Sequence, residues 1–455
     1  MLPRHSGRAL GRSTRTMPPL WHHHRKQGLR TTQPRGNGVV LGWGWGAHGQ
    51  LGLPQLPLSH NQSVYEPRVI PLNHTEDKEG TASPNHVSCI GCGHFHSLFF
   101  ATPGQLRGCG HNEGLQLGAL PSNPMARIGP SVWTPTPVPL PAAHPLVTTN
   151  AGRANIKKLT GSGLASALLT EDGQLYTWGT SKRGQLGHAD ASTQEAVPRL
   201  IQATPTRLHS DEARKHAEVV VDVALGWGHG LALTSSHRVM AWGWGEQGQL
   251  GLGTYENVFT GPLEVEELSD KGIVSIATGP DCSLAVTEYG EVYLWGRNEY
   301  YLGLASSFLP TGEVTGENLP KKIEFPVRTE QGDEVQGKII KLQAGFGHFL
   351  ALTDEGKVWA FGLNSYGQLG LGDCENRHNP HFVSSMKDEA IRDISCGRMH
   401  SLFLTKQGEV YACGLGKNGR LGTGETEDKC VPCLLPNLHS VQQIACGYDH
   451  SLVML

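Results

Sequence analysis

Five Gly-x-x-His steps, at Gly93/His96, Gly226/His229, Gly345/His348, Gly397/His400 and Gly447/His450, are the first candidates for chemistry. Imidazole binds metals and moves protons near neutral pH, so histidines in equivalent places invite a metal ring or a proton relay. Serine follows histidine at Ser97, Ser401 and Ser451, which sets a nucleophile beside a base by residue type. Ten cysteines include two Cys-x-x-Cys pairs, Cys89/Cys92 and Cys430/Cys433, each shaped like half of a zinc ribbon. The stretch "GWGWG" at 42–46 mimics a Gly-rich phosphate loop.

Each candidate has a plainer explanation. Neighbouring residues in a strand face opposite ways, so a sequential His-Ser pair cannot act as a dyad. No helix follows "GWGWG" to offer an anion its N-terminal amides. The two Cys-x-x-Cys pairs lie in different repeat units, and structural zinc needs four nearby ligands. Ala165 and Cys282 occupy the histidine position of two further units, so no symmetric site needs all seven. Cys92, Cys396 and Cys446 share one repeat position, and Cys109 and Cys413 another, as small core residues do. The recurring histidine is read as serving the same hydrogen bond in each turn. Catalytic residues, metal and cofactor are therefore all expected to be none, and the chain is read as no enzyme of covalent chemistry.

The elements that carry these residues repeat. Aligning on the "GxLG" endings gives positions 52, 118, 187, 251, 303, 370 and 422, with "LQLG" at 118 and "YYLG" at 303 as the two variants. Six complete units end there, at 87–118, 156–187, 220–251, 273–303, 339–370 and 391–422. The seventh is split: "VQQIACGYDHSLVML" at 441–455 holds its first half and "VVLGWGWGAHGQLG" at 39–52 its second. Short alternating runs such as "HSLFLT" read as half-buried strands between Gly-containing turns, and no long segment has a helical period. A unit shared between the termini requires a closed ring. The expected fold is all-β: a seven-bladed β-propeller closed by N- and C-terminal strands pairing in one blade. The connectors 53–86, 119–155, 188–219 and 304–338 read as binding loops, the last as a possible inserted hairpin.

The repeat "ACGxxHSLxLT…GxVYxWGxNxxGQLG" closely resembles the regulator of chromosome condensation repeat over residues 39–455. Trp-Gly at 43–44, 178–179, 242–243 and 295–296 separates it from WD-type and kelch propellers. Unit 273–303, with "TGPDCSLAV" and "WGRNEYYLGLASS", together with the N-terminus, resembles the family's mitochondrial, guanine-exchange-factor-like branch.

That N-terminus is different in kind. Residues 1–36 carry eight Arg and Lys, and no Asp or Glu appears before Glu66. Arg4, Arg8, Arg12 and Arg15 fall on one helical face, the pattern of a mitochondrial transit peptide. The expected division is a transit peptide at 1–36 and a single propeller at 37–455, without a transmembrane span. The chain has 38 Lys and Arg against 41 Asp and Glu; without those eight the balance is 30 against 41, about −11. So acidic a body disfavours direct RNA binding and favours protein partners.

The resemblance implies guanine nucleotide exchange on an organellar, dynamin-like fusion GTPase, in the matrix or at the matrix face of the inner membrane. In the family's Ran-directed member, acidic and His residues of the Gly-x-x-His turns contribute to exchange. The matching positions are Asp281, His348, His400, Asp449 and His450, and Cys282 departs from the pattern. Asp281 and Asp449 both precede the histidine slot, so a propeller presents both at the same end of its ring. The second expectation from the resemblance is a non-enzymatic scaffold in mitochondrial ribosome biogenesis, meeting large-subunit ribosomal RNA through assembly proteins. An E3-ligase role is not expected, since no accessory catalytic domain is read in the sequence.

Overall fold

The computed structural model describes residues 38–53, 62–72, 86–101, 104–118, 127–128, 131–140, 156–190, 193–202, 218–297, 316–326 and 337–455. The basic segment 1–36 lies outside them, as does most of each long connector. Seven antiparallel sheets form the ring, six of four strands and one of five. Their innermost strands pack side by side in a closed circuit. Blade 1 is the split one, ordered from the centre as Gln443–Cys446, His450–Met454, Val40–Trp45 and Ser63–Val69. Val40 pairs with Met454, Gly42 with Leu452 and Gly44 with His450, so strands from both ends of the chain close the ring as expected.

Blades 2 to 7 follow in chain order, with second strands at His96–Ala101, Ala165–Thr170, His229–Thr234, Cys282–Thr287, His348–Thr353 and His400–Thr405. The sequence pattern suggests that such strands are half-buried. Instead every residue of these six strands is buried. A propeller blade has a neighbour on each face, so no solvent face remains for the alternate residues. Their Ser, Thr and His side chains must then find partners inside.

The connectors are not simply loops. Each donates the fourth strand of a blade, at Ser63–Val69, Ser131–Pro137, Gln194–Leu200 and Glu317–Ile323. The expected inserted hairpin at 304–338 is thus corrected where it is described: Glu317–Ile323 is the fourth strand of blade 5. Every blade's fourth strand carries proline, at Pro67, Pro135, Pro198, Pro262, Pro320, Pro380 and Pro432. Proline cannot donate to a further strand, so in the six four-stranded blades it guards the rim against edge-to-edge pairing, while in blade 2 Arg127–Ile128 pairs outside Ser131–Pro137.

The Trp-Gly signature has a geometric cause. Its glycine adopts φ from 96° to 117° in all seven blades, at Gly44, Gly110, Gly179, Gly243, Gly296, Gly362 and Gly414. At each of them the pairing to the fourth strand shifts register. A Cβ there would lie 2.3–2.5 Å from a backbone oxygen, so only glycine fits.

Candidate functional site

The repeated histidines form latches between blades. Nε2 of His96, His229, His348, His400 and His450 lies 2.8–3.0 Å from Oγ of Ser166, Ser283, Ser401, Ser451 and Ser97, in each case on the next blade. Each serine gives its only hydrogen to a backbone carbonyl of the preceding blade, at Gln116, Gln249, Gln368, Arg420 or Gln50. It must therefore accept from imidazole, which fixes the proton on Nε2. Such a histidine cannot take the serine proton, and no nucleophile is activated. Burial pushes His96, His229 and His450 down to about 3 and His348 to about 4, and it also lowers His400, so the latches are neutral. Glycine opens each Gly-x-x-His turn because the ring lies over it: a Cβ on Gly93 would stand 2.0 Å from Cε1 of His96.

Two interfaces lack the latch. Where Ala165 and Cys282 replace histidine, the facing serine is also replaced, by Gly230 and Phe349. Carbonyls at the same repeat position, with or without a latch, anchor the Trp-Gly strand. Nε1 of Trp43, Trp178, Trp242 and Trp295 donates to the oxygen of Arg420, Gln116, Gln185 and Gln249 at 2.8–3.0 Å. Cys109 and Cys413 stand in for tryptophan, with Sγ 3.5 Å from the oxygens of Gln50 and Gln368.

The five residues singled out as GTPase contacts are therefore placed unequally. His348, His400 and His450 are wholly buried and reach a partner only through the turns they hold. Asp449 is also buried, and its Oδ1 lies 2.5 Å from Nη1 of Arg420, whose side chain is 3% exposed. It is not the solvated turn residue that its place in the sequence suggests. Asp281 is the accessible one. Its side chain is 24% exposed and faces Arg297 at 3.7 Å, and burial raises its carboxyl while Arg297 opposes that shift. Both aspartates belong to the turns joining first and second strands, at one end of the ring.

At that end the residue after each turn's first position forms a collar: His94, Ser162, Trp227, Pro280, Phe346, Arg398 and Tyr448. Tyr448 stands 4.5 Å from His94, and His94 5.1 Å from Trp227, between ring centroids. The Arg398 guanidinium lies over Phe346 and Tyr448 at 5.5 and 5.3 Å, a cation–π arrangement. Backbone bonds tie the collar from blade to blade: Phe346 N to Arg398 O, Arg398 N to Tyr448 O and Tyr448 N to His94 O. Together these close the central channel to a cavity of about 120 Å³. Beyond it the channel widens to about 660 Å³, where Lys158–Asp222 and Lys341–Asp393 pair at 2.7 and 2.5 Å. Trp227, 42% exposed, carries the collar into solvent.

Sequence reasoning missed the collar, because its residues share a position but no type. It also missed Arg420, although "GRLG" departs from the repeat's "GQLG" in the blade that faces Asp449.

A family described as RCC1-like domain matches residues 139–455, and one described as Regulator of chromosome condensation (RCC1) repeat matches residues 37–100. The chain is 30% identical to the Ultraviolet-B receptor UVR8 of Arabidopsis thaliana, over 83% of this chain and 76% of that protein. It is 34% identical to the RCC1 domain-containing protein RUG3, mitochondrial, of the same plant, over 59% of this chain and 56% of that one. The solved structure of human WBSCR16 matches with a TM-score of 0.72 at 25% identity, covering 91% of this chain and 99% of that chain. Prp20p of Saccharomyces cerevisiae, reported with its binding to Gsp1p and histones, matches at 0.68 and 22% identity, covering 91% of each chain. The likeness to Prp20p shows the fold alone.

Proposed function

Because this chain belongs to the RCC1-like domain family, we propose that it is a partner-binding propeller whose collar face promotes guanine nucleotide exchange on a mitochondrial, dynamin-like GTPase. The collar carries this reading. It joins an exposed aromatic, a guanidinium on two rings and an accessible carboxylate at one end of a rigid ring. Exposed aromatics and arginine are the residue types that anchor protein interfaces. A protein partner on this fold has a precedent in Prp20p, and the mitochondrial relative RUG3 supports the compartment. The basic, acid-free segment 1–36 supports import into the matrix or to the matrix face of the inner membrane.

Exchange needs no covalent step. A GTPase that holds nucleotide at nanomolar affinity has about 12 kcal/mol in that contact, and the exchange factor must bind the empty form nearly as well. Asp281 is suited to the phosphate-binding loop of such a partner, since a carboxylate competes there with phosphate. The test is release of a fluorescent GDP analogue from candidate inner-membrane GTPases. Wild type should accelerate release, while Trp227→Ala and Asp281→Asn should slow it with the fold retained. No acceleration from any matrix or inner-membrane GTPase would sink the exchange reading.

One observation favours a second reading, the scaffold in mitochondrial ribosome assembly. Three of the five candidate contacts are wholly buried and Asp449 is committed to Arg420, so few groups remain to displace a nucleotide. On this reading the same collar holds an assembly protein, and Trp227→Ala abolishes co-purification with ribosome assembly factors.

A further inference from the structure

Blades 6 and 7 meet at the rim in a way no other described interface repeats. Three stretches align after the "GxLG" endings: Gly253-Thr254-Tyr255, Gly372-Asp373-Cys374 and Gly424-Glu425-Thr426. In each, the glycine N–H donates to a carbonyl on the next blade's outermost strand, at Asn318, Cys430 and Tyr65 respectively. The repeat thus brings the residue two places after the glycine beside one fixed residue of the neighbouring blade. Tyr255 and Thr426 hold those places at two interfaces. At the third both sides are thiols, and Sγ of Cys374 lies 3.2 Å from Sγ of Cys430.

From this juxtaposition we infer that Cys374 and Cys430 are a reversible disulfide site, oxidised by hydroperoxides, that staples blade 6 to blade 7. The two are free thiols in the structure; Cys374 is exposed and Cys430 partly so. The loop that carries Cys374 is already shaped. Asp373 accepts from Asn364 Nδ2 and Glu375 N, and pairs with Arg377 at 2.6 Å. The backbone bond from Gly372 to Cys430 holds the other side, so side-chain rotation has only to close 3.2 Å to a bond of about 2.05 Å. Among the described residues no group of three or more His, Cys, Asp or Glu converges as metal ligands. Cys433, the other half of Cys-x-x-Cys, instead points its Sγ at the oxygen of Ala412, 3.2 Å away.

The chemistry balances. The Cys374 sulfur attacks a peroxide oxygen, an S–O bond forms as the O–O bond breaks, and the departing oxygen leaves as water or alcohol with the thiol proton. The Cys430 sulfur then attacks the sulfenic sulfur, the S–S bond forms as S–O breaks, and water leaves. Two thiols lose two electrons and the hydroperoxide gains them. Its hydrogen bond to Cys374 and burial push the Cys430 thiol up to about 11, which leaves the more exposed Cys374 to meet the oxidant first.

The test treats the full-length chain with hydrogen peroxide, blocks remaining thiols under denaturing conditions and maps peptides with and without dithiothreitol. A Cys374–Cys430 linked peptide should form, vanish on reduction, and be absent from Cys374→Ser and Cys430→Ser but present in Cys433→Ser. The oxidised protein should melt roughly 3–6 °C higher than the reduced one, with no shift in either serine variant of the pair. Sulfinic acid on Cys374 without a link, or a link from Cys430 to Cys433, would overturn the inference. So would two thiols left fully open to alkylation once other cysteines have oxidised.

Discussion

The interface from blade 7 to blade 1 and that from blade 5 to blade 6 occupy equivalent places in the ring and are built from opposite chemistry. The first is polar and directional: His400 binds Ser451, Ser451 and Trp43 both donate to the Arg420 carbonyl, and the Arg420 guanidinium holds Asp449. The second is apolar. Phe349 stacks on Phe361 at 4.8 Å, and Phe325 packs edge-on against Phe361 and Trp359 at 6.1 and 6.0 Å. The repeat dictates where the blades meet but not what joins them. Replacement occurs in facing pairs, because a lone histidine would be left with a buried, unsatisfied Nε2–H. At the polar interface the Trp43–Arg420 bond joins segments from opposite ends of the chain, although the same kinds of bond also serve blades that follow one another in sequence.

The hardest break of this comparison removes the closing strands. Deleting 446–455 takes most of the inner half of blade 1 and leaves Val40–Trp45 unpaired on one side. The expected result is loss of the cooperative thermal transition, and an unchanged midpoint would refute closure through both termini.

Next comes the buried ion pair. Arg420→Ala leaves Asp449 as an unpaired buried charge and should cost about 3–5 kcal/mol in urea unfolding. Arg297→Ala, at the more exposed pair with Asp281, should cost no more than about 1 kcal/mol. Equal losses would mean that the two aspartates share one environment.

The latch itself should be worth less. His400→Ala is expected to destabilise by about 2 kcal/mol, and a double-mutant cycle with Ser451→Ala should show a coupling of about 1 kcal/mol. In blade 5 the reverse change, Cys282→His, should also destabilise, because Phe349 offers the new imidazole no acceptor. Stabilisation by Cys282→His would show that the apolar interface tolerates either chemistry.

The smallest effect is a matter of pH. A latch histidine titrates near 6.5 in the unfolded chain but only near 3 when folded at His96, His229 and His450. Between those values the unfolded chain binds the extra proton, so stability is complete above pH 6.5 and falls as pH drops towards 3. Replacing one latch, as in His450→Asn, should flatten that decline by one proton, a difference below about 1 kcal/mol at pH 6. An unaltered pH dependence would place the protonation elsewhere.

How much of this could be read in advance depends on the distance over which a residue's reason acts. The seven units and their closure were legible, since Trp-Gly, Gly-x-x-His and "GxLG" recur wherever one backbone geometry recurs. The outermost strands were not, because proline and exposure erase the alternation by which strands are recognised. The histidine slot was visible, but its partner was not: His96 and Ser166 stand 70 positions apart, His450 and Ser97 353. A clue was present in the paired losses at Ala165/Gly230 and Cys282/Phe349. The collar left no repeat signal at all, because His94, Trp227, Phe346, Arg398 and Tyr448 share a place and differ in kind.

The split blade also sets a clock. Trp43 donates to Arg420 across 377 positions, so its bond forms only after nearly the whole chain is available. Contacts of such separation are entropically late and slow folding. A chain that emerges N-terminus first holds Val40–Trp45 as a waiting half-blade with one bare edge until His450–Met454 arrives. Until that moment blade 1 lacks its second strand and the ring is open. Once the last strand docks, strands from both ends of the chain share one sheet, and neither can leave without baring an edge of the other.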